Sequence, residues 1–243
     1  MGRRIVAYGL CLALGGVLGA MAYAGLIGIP YGPKATGDLA AARSSRSGHR
    51  VLFVGNSLTY WNGMPSMVRR LVEETPGLGP MFVVQYTAPG WDLTRAGKHQ
   101  GLSNLIEGVR WHDVILQERS DVREPAFRPL HERIAARGAR TIIYGPGGRA
   151  EYSGVRATAL ALPARVAKVG LAVEAAYQAD PNLDLIDDGE GHPNRAGSFL
   201  MACVYYATLT GRDPQKSRYS GGLDPATSRW LKQVAWSVYQ WNE

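Results

Sequence analysis

The chain predicts an α/β fold, a mostly parallel five-stranded sheet with helices on both faces. Two observations carry the prediction: short apolar runs that end in glycine or a polar residue, and stretches of helical periodicity that separate them. Strands that alternate with helices are joined by right-handed crossovers and lie parallel. The first run covers residues 50–55, Arg-Val-Leu-Phe-Val-Gly, and fits a strand buried on both sides. Residues 64–74 follow as a helix with Met67, Val68, Leu71 and Val72 at helical spacing. Strands are expected at 82–86, 113–117 and 140–144, with helices at 102–109 and 129–137 between them. Residues 160–178 read as mostly helical with a break at Gly170, and 183–186 as the fifth strand. Helices at 195–209 and 225–240 close the chain. Trp230, Trp236, Tyr239 and Trp241 lie on the last one or at its end, where a core-facing stripe accounts for them.

Two segments precede this domain of residues 50–243. Arg3 and Arg4 come before residues 5–29, which contain no charged side chain. That stretch is long enough to span a bilayer, and it carries small-x-small sites at Ala20-Met21-Ala22 and Ala22-Tyr23-Ala24. It reads as an N-terminal hydrophobic helix, either a cleaved signal peptide or a membrane anchor, with the domain exported. Residues 30–49 are rich in Gly, Ala, Ser and Arg without apolar periodicity and read as a flexible tether.

Composition narrows the function. Two cysteines in 243 residues exclude a disulfide framework and a cysteine-based zinc module. Five histidines include no His-x-x-x-His pair, so a zincin helix is excluded. The net charge of +7 comes from scattered, mostly Arg residues, which argues against nucleic acid as a partner.

In doubly wound sheets the site lies beyond the carboxyl ends of the strands. There the first strand ends in Gly55-Asn56-Ser57-Leu58-Thr59. A serine after such a turn can present its hydroxyl above the sheet, where it needs a base to become a nucleophile. His192 is the base in view. Asp187, Asp188 and Glu190 precede it, and Pro193 keeps it off the following helix. A neighbouring carboxylate would fix its tautomer and stabilise the imidazolium. Gly90, after the second strand, could bring a backbone N–H to a developing oxyanion, and Gln117, at the end of the third, could offer its side-chain amide. Tyr60, Trp61 and Trp91 lie close by in sequence, and Trp61 and Trp91 are candidates to bind substrate by stacking on a sugar or lining an acyl pocket.

Gly55-Asn56-Ser57-Leu58, the glycine after the second strand, and His192-Pro193 resemble the ordered blocks of the SGNH (GDSL-type) hydrolases. The likeness widens over residues 53–60, 111–118, 192–200 and 202–211, which resemble a bacterial branch of that superfamily. The resemblance implies a three-layer α/β/α flavodoxin-like sandwich that hydrolyses an ester, often an acetyl or other acyl group on a carbohydrate, without metal or cofactor. It implies Ser57 as nucleophile, His192 as general base and then acid, and the N–H groups of Ser57 and Gly90 as oxyanion donors. The family's acid falls three residues before the histidine, where this chain has Gly189. Asp188 is therefore taken as the triad acid, with Glu190 as its competitor. The family's third-block asparagine is not evident in residues 117–121, and Gln117 is taken as its substitute, since an ionised Asp121 cannot donate. Two other functions share these features: an envelope polysaccharide O-acyltransferase on the same triad, and a non-catalytic tethered glycan-binding module.

Overall fold

The computed structural model describes residues 32–118, 124–187, 189 and 191–241. Its six strands are β1 (Lys34–Gly37), β2 (His49–Gly55), β3 (Met81–Thr87), β4 (Asp113–Leu116), β5 (Arg140–Tyr144) and β6 (Arg165–Ala167), in the order β1-β3-β2-β4-β5-β6. β2 to β6 are all parallel, and β1 runs antiparallel along the free edge of β3. Without β1, the order is that of flavodoxin-like sheets. The winding reverses between β2 and β4, and a crevice opens there at the carboxyl ends.

The helices are α1 (Leu39–Ser44), α2 (Ser57–Tyr60), α3 (Met64–Glu73), α4 (Leu93–Gly97), α5 (Gln100–Gly108), α6 (Glu124–Ala136), α7 (Arg149–Ala161), α8 (Val169–Ala179), α9 (Arg195–Thr210) and α10 (Pro225–Gln240). They cover both faces, which is why the central strands are apolar without alternation. In β2, Val51 and Phe53 join a core with Leu71 of α3, Tyr205 of α9 and Leu231 of α10. Leu52 and Val54 point the other way, onto Ile106 of α5 and Phe127 of α6. Each such side chain contributes about 1.5–3 kcal/mol when fully buried. α9 is buried all round from Gly197 to Leu209, because α3, α8 and α10 all pack on it.

The amino ends of the strands are tied by charge. Asp113 opens β4 with no side-chain exposure. Arg140 donates to both of its oxygens at 2.8 Å, and His49 Nε2 lies 2.6 Å from Oδ2. Burial alone would push this carboxyl up, but the bonds from His49 and Arg140 outweigh it and hold it below the usual range. His112 stacks on His49 with ring centroids 4.7 Å apart and accepts the Arg50 N–H at its Nδ1.

Several expected elements change. Residues 30–49 are not simply a tether, since β1 and α1 fold onto the sheet edge within them. β1 has no apolar pattern of its own and owes its existence to the unpaired edge of β3. The helix expected at 160–178 is three elements: the end of α7, strand β6 and α8. The fifth parallel strand is therefore β6. Residues 183–186 contribute only an isolated bridge between Ile186 and Pro193, outside the sheet. α6 begins at Glu124 and carries Pro129 inside it. Among the described residues no helix is long and apolar enough to cross a membrane. The hydrophobic segment 1–29 lies outside the described residues.

Candidate active site

β2 delivers the nucleophile candidate to the crevice. Asn56, in extended conformation, caps α2 by accepting the Leu58 N–H at 3.1 Å, and Ser57 becomes the first residue of the helix. At that position a backbone N–H has no intrahelical acceptor and is available to an anion. The turn depends on Gly55. A β-carbon there would stand 2.4 Å from Gln117 Oε1 and 2.5 Å from Thr59 Oγ1, closer than atoms pack. Gln117 is 1% exposed, and its Oε1 accepts from the Asn56 N–H at 2.9 Å and the Thr59 hydroxyl at 3.1 Å. Its Nε2 donates to the Glu118 carbonyl at 2.9 Å. The amide expected to bind an oxyanion is thus turned inward, where it fixes the elbow that carries Ser57.

His192 comes from a loop closed on itself. Ile186 bridges Pro193, Asp187 N–H donates to the His192 carbonyl at 2.9 Å, and Asn194 N–H donates to the Leu185 carbonyl at 2.9 Å. Asn194 then caps α9 by accepting the Gly197 N–H at 3.0 Å. This closure aims His192 at the end of β2, and its Nε2 lies 2.9 Å from Ser57 Oγ. The contact joins residues 135 positions apart at the distance a general base requires. Both side chains are half-buried. Asp187 is exposed, and Asp188 and Glu190, the sequence candidates for the triad acid, lie outside the described residues.

The loop after β3 carries Gly90, the candidate for the second N–H. Ala88-Pro89-Gly90-Trp91 closes with Trp91 N–H on the Ala88 carbonyl at 3.3 Å, and Gly90 takes φ +59°. Proline second and a left-handed glycine third is the signature of a type II turn. Both ends of the turn are tied to the elbow: Ala88 N–H donates to the Gly55 carbonyl at 3.3 Å, and Asn56 Nδ2 to the Trp91 carbonyl at 3.1 Å. Glu118, only 7% exposed, holds the continuation by accepting the Leu93 N–H at 2.8 Å. The turn that carries Gly90 is therefore fastened to the elbow that carries Ser57 through bonds that the sequence did not reveal.

The two candidate stacking tryptophans divide. Trp91 is only 7% exposed and packs against Tyr86 and His99, so it is a core ring under the turn, without a face open to a sugar. Trp61 is half-buried and lies parallel to the His192 imidazole, with centroids 3.9 Å apart and planes 9° apart. Asn62, not singled out from the sequence, takes φ +52° and donates through Nδ2 to the Pro193 carbonyl at 2.8 Å and to Ser198 Oγ at 3.0 Å. It links the nucleophile's segment to the histidine's. The Asn62-Gly63 pair is a turn signal that could have drawn attention to it.

No family model and no curated sequence matches the chain. Solved structures do. A DUF4886 family protein from Bacteroides uniformis aligns with a TM-score of 0.67 at 15% identity, covering 79% of this chain and 95% of its own. A GDSL-lipase-like protein from Parabacteroides merdae gives 0.53 at 14%, covering 70% and 98%. TesA gives 0.51 at 16%, covering 67% and 99%. At these identities the likeness is one of fold. The chain thus has the α/β fold of the SGNH hydrolases, a six-stranded and mostly parallel sheet flanked by helices.

Proposed function

We propose that this protein is a serine ester hydrolase in which Ser57 attacks the acyl carbonyl and His192 accepts its proton. The observation that carries this reading is the 2.9 Å approach of His192 Nε2 to Ser57 Oγ at the switch point of an SGNH-type sheet. The N–H groups of Ser57 and Gly90 hold the oxyanion, and losing one such donor typically lowers kcat about 10²–10³-fold. The imidazolium then gives its proton to the leaving alcohol, which departs and leaves the acyl group on Ser57. Water, deprotonated by the same imidazole, attacks that ester, and the collapse returns the carboxylic acid and the free serine. A carboxylate from residues 187–190, Asp188 first among them, stabilises the imidazolium. The fold kinship supports hydrolase chemistry, the uncharged stretch at 5–29 supports export, and the resemblance to the SGNH hydrolases makes an acetyl or short acyl ester, with carbohydrate as its carrier, the expected substrate.

A panel of aryl acetates, longer acyl esters and acetylated glycans, run on the wild type and on Ser57→Ala, tests the reading. Turnover of at least one ester is expected in the wild type and should fall by about 10⁴-fold or more in the variant, with an unchanged melting temperature. Equal turnover in the two proteins would remove Ser57 from the mechanism.

A further inference from the structure

Trp61 is tied to both halves of the proposed dyad. It opens the short turn Trp61–Gly63 directly after α2, and its backbone N–H donates to the Ser57 carbonyl. Its neighbour Asn62 grips the Pro193 carbonyl at 2.8 Å, one residue beyond His192. Between these anchors the indole lies on the imidazole at 3.9 Å and nearly parallel to it. One indole face is therefore spent on the histidine.

We propose that Trp61 is a positioning residue, which fixes the plane of the His192 imidazole so that Nε2 stays aimed at Ser57 Oγ and which favours the imidazolium formed when the serine proton moves. This rests on the ester-hydrolase reading above. Rotation of the ring about its bond to Cβ would swing Nε2 away from the hydroxyl, and a flat partner at contact distance blocks that rotation. The electron-rich indole face also attracts a cation more than a neutral ring. The attraction therefore grows as the proton arrives, and an interaction stronger in the transition state than in the ground state raises kcat. The titratable and charged groups on the elements that meet at His192 come from its own loop, α9 and α2. Asp187 lies on its own loop, and Asp188 and Glu190 of that loop are outside the described residues. Arg195 opens α9 with its guanidinium on the Gly221 carbonyl, and Tyr60 is the titratable group of α2. All are retained in the variants below, so a change between proteins reports the indole.

The test compares Trp61→Leu and Trp61→Phe with the wild type. kcat and KM are measured on a small aryl acetate, and the His192 imidazole is titrated by NMR in a Ser57→Ala background with and without Trp61→Leu. Trp61→Leu is expected to lower kcat about tenfold, with KM unchanged and an acidward shift of the His192 titration. Trp61→Phe, which keeps a weaker aromatic face, should fall between the two. A rise in KM at constant kcat would overturn the proposal and make the indole a wall of the substrate pocket. A His192 titration that is unmoved or shifted to higher pH would also overturn it. If the wild type hydrolyses no ester, the hydrolase reading fails, and the NMR titration still decides whether the indole favours the cation.

Discussion

At the scale of single residues, the site is built by polar groups that bind backbone. Gln117 holds Asn56 and Thr59, Asn56 holds the Trp91 carbonyl, and Glu118 holds the Leu93 N–H. Each takes a loop that would otherwise wander and fixes it relative to Ser57. Replacing Gln117 by Leu would leave a buried N–H and a buried hydroxyl without an acceptor, at about 1–3 kcal/mol each. We expect Gln117→Leu to lower the unfolding free energy by about 2–6 kcal/mol on that basis, measured by urea denaturation, and to reduce kcat as well. A variant that loses activity at full stability would restore Gln117 as an oxyanion donor. Asn62→Gly keeps the left-handed backbone that Asn62 adopts and deletes only the side-chain bonds to Pro193 and Ser198. It should lower kcat/KM about tenfold, an effect of about 1.4 kcal/mol, because His192 loses a tether. Unchanged kinetics would show that the loop's own backbone bonds suffice.

At the scale of elements, the sheet carries the candidate site at its carboxyl ends and a charged clasp at its amino ends. His112 belongs to the clasp. Burial lowers its pKa, with the charges of His49, Arg50 and Arg140 acting in the same direction and Asp113 opposing them. A histidine that folds neutral stabilises the native state above its unfolded pKa, near 6.5, and loses that contribution as pH falls towards the folded value. His131 is lowered too, by its own burial first. Stability should therefore decline between about pH 7 and pH 5, and decline less in His112→Asn, which keeps an acceptor for the Arg50 N–H. Denaturant midpoints at the two pH values check this, and a midpoint independent of pH would contradict it. The long elements were legible in the sequence for reasons visible here. β2 to β5 are buried on both faces and so read as apolar runs, and α3 shows its stripe because only one side of it is buried. β6 has three residues, two of them only half-buried, and β1 pairs through its backbone and one side-chain bond, Gln85 Nε2 to Thr36 Oγ1 at 2.9 Å, so neither leaves an apolar pattern in side chains.

At the scale of the whole molecule, the site exists only because the winding reverses. β2 and β4 are neighbours at the switch point, and the His192 loop folds back over the end of β2 from the other end of the chain. Ser57 and His192 were legible because glycine-rich turns and a His-Pro step stand out in sequence. The contacts that align them were not, because Asn62 to Pro193 and Asn56 to Trp91 join residues that carry no mark of each other. The direct test of the central claim is labelling of the folded protein by a fluorophosphonate, with the modified peptide identified by mass spectrometry. One adduct should form, on Ser57, and it should form about 10³-fold or more slowly in His192→Ala. No adduct on Ser57, or the same rate with and without His192, would contradict the account.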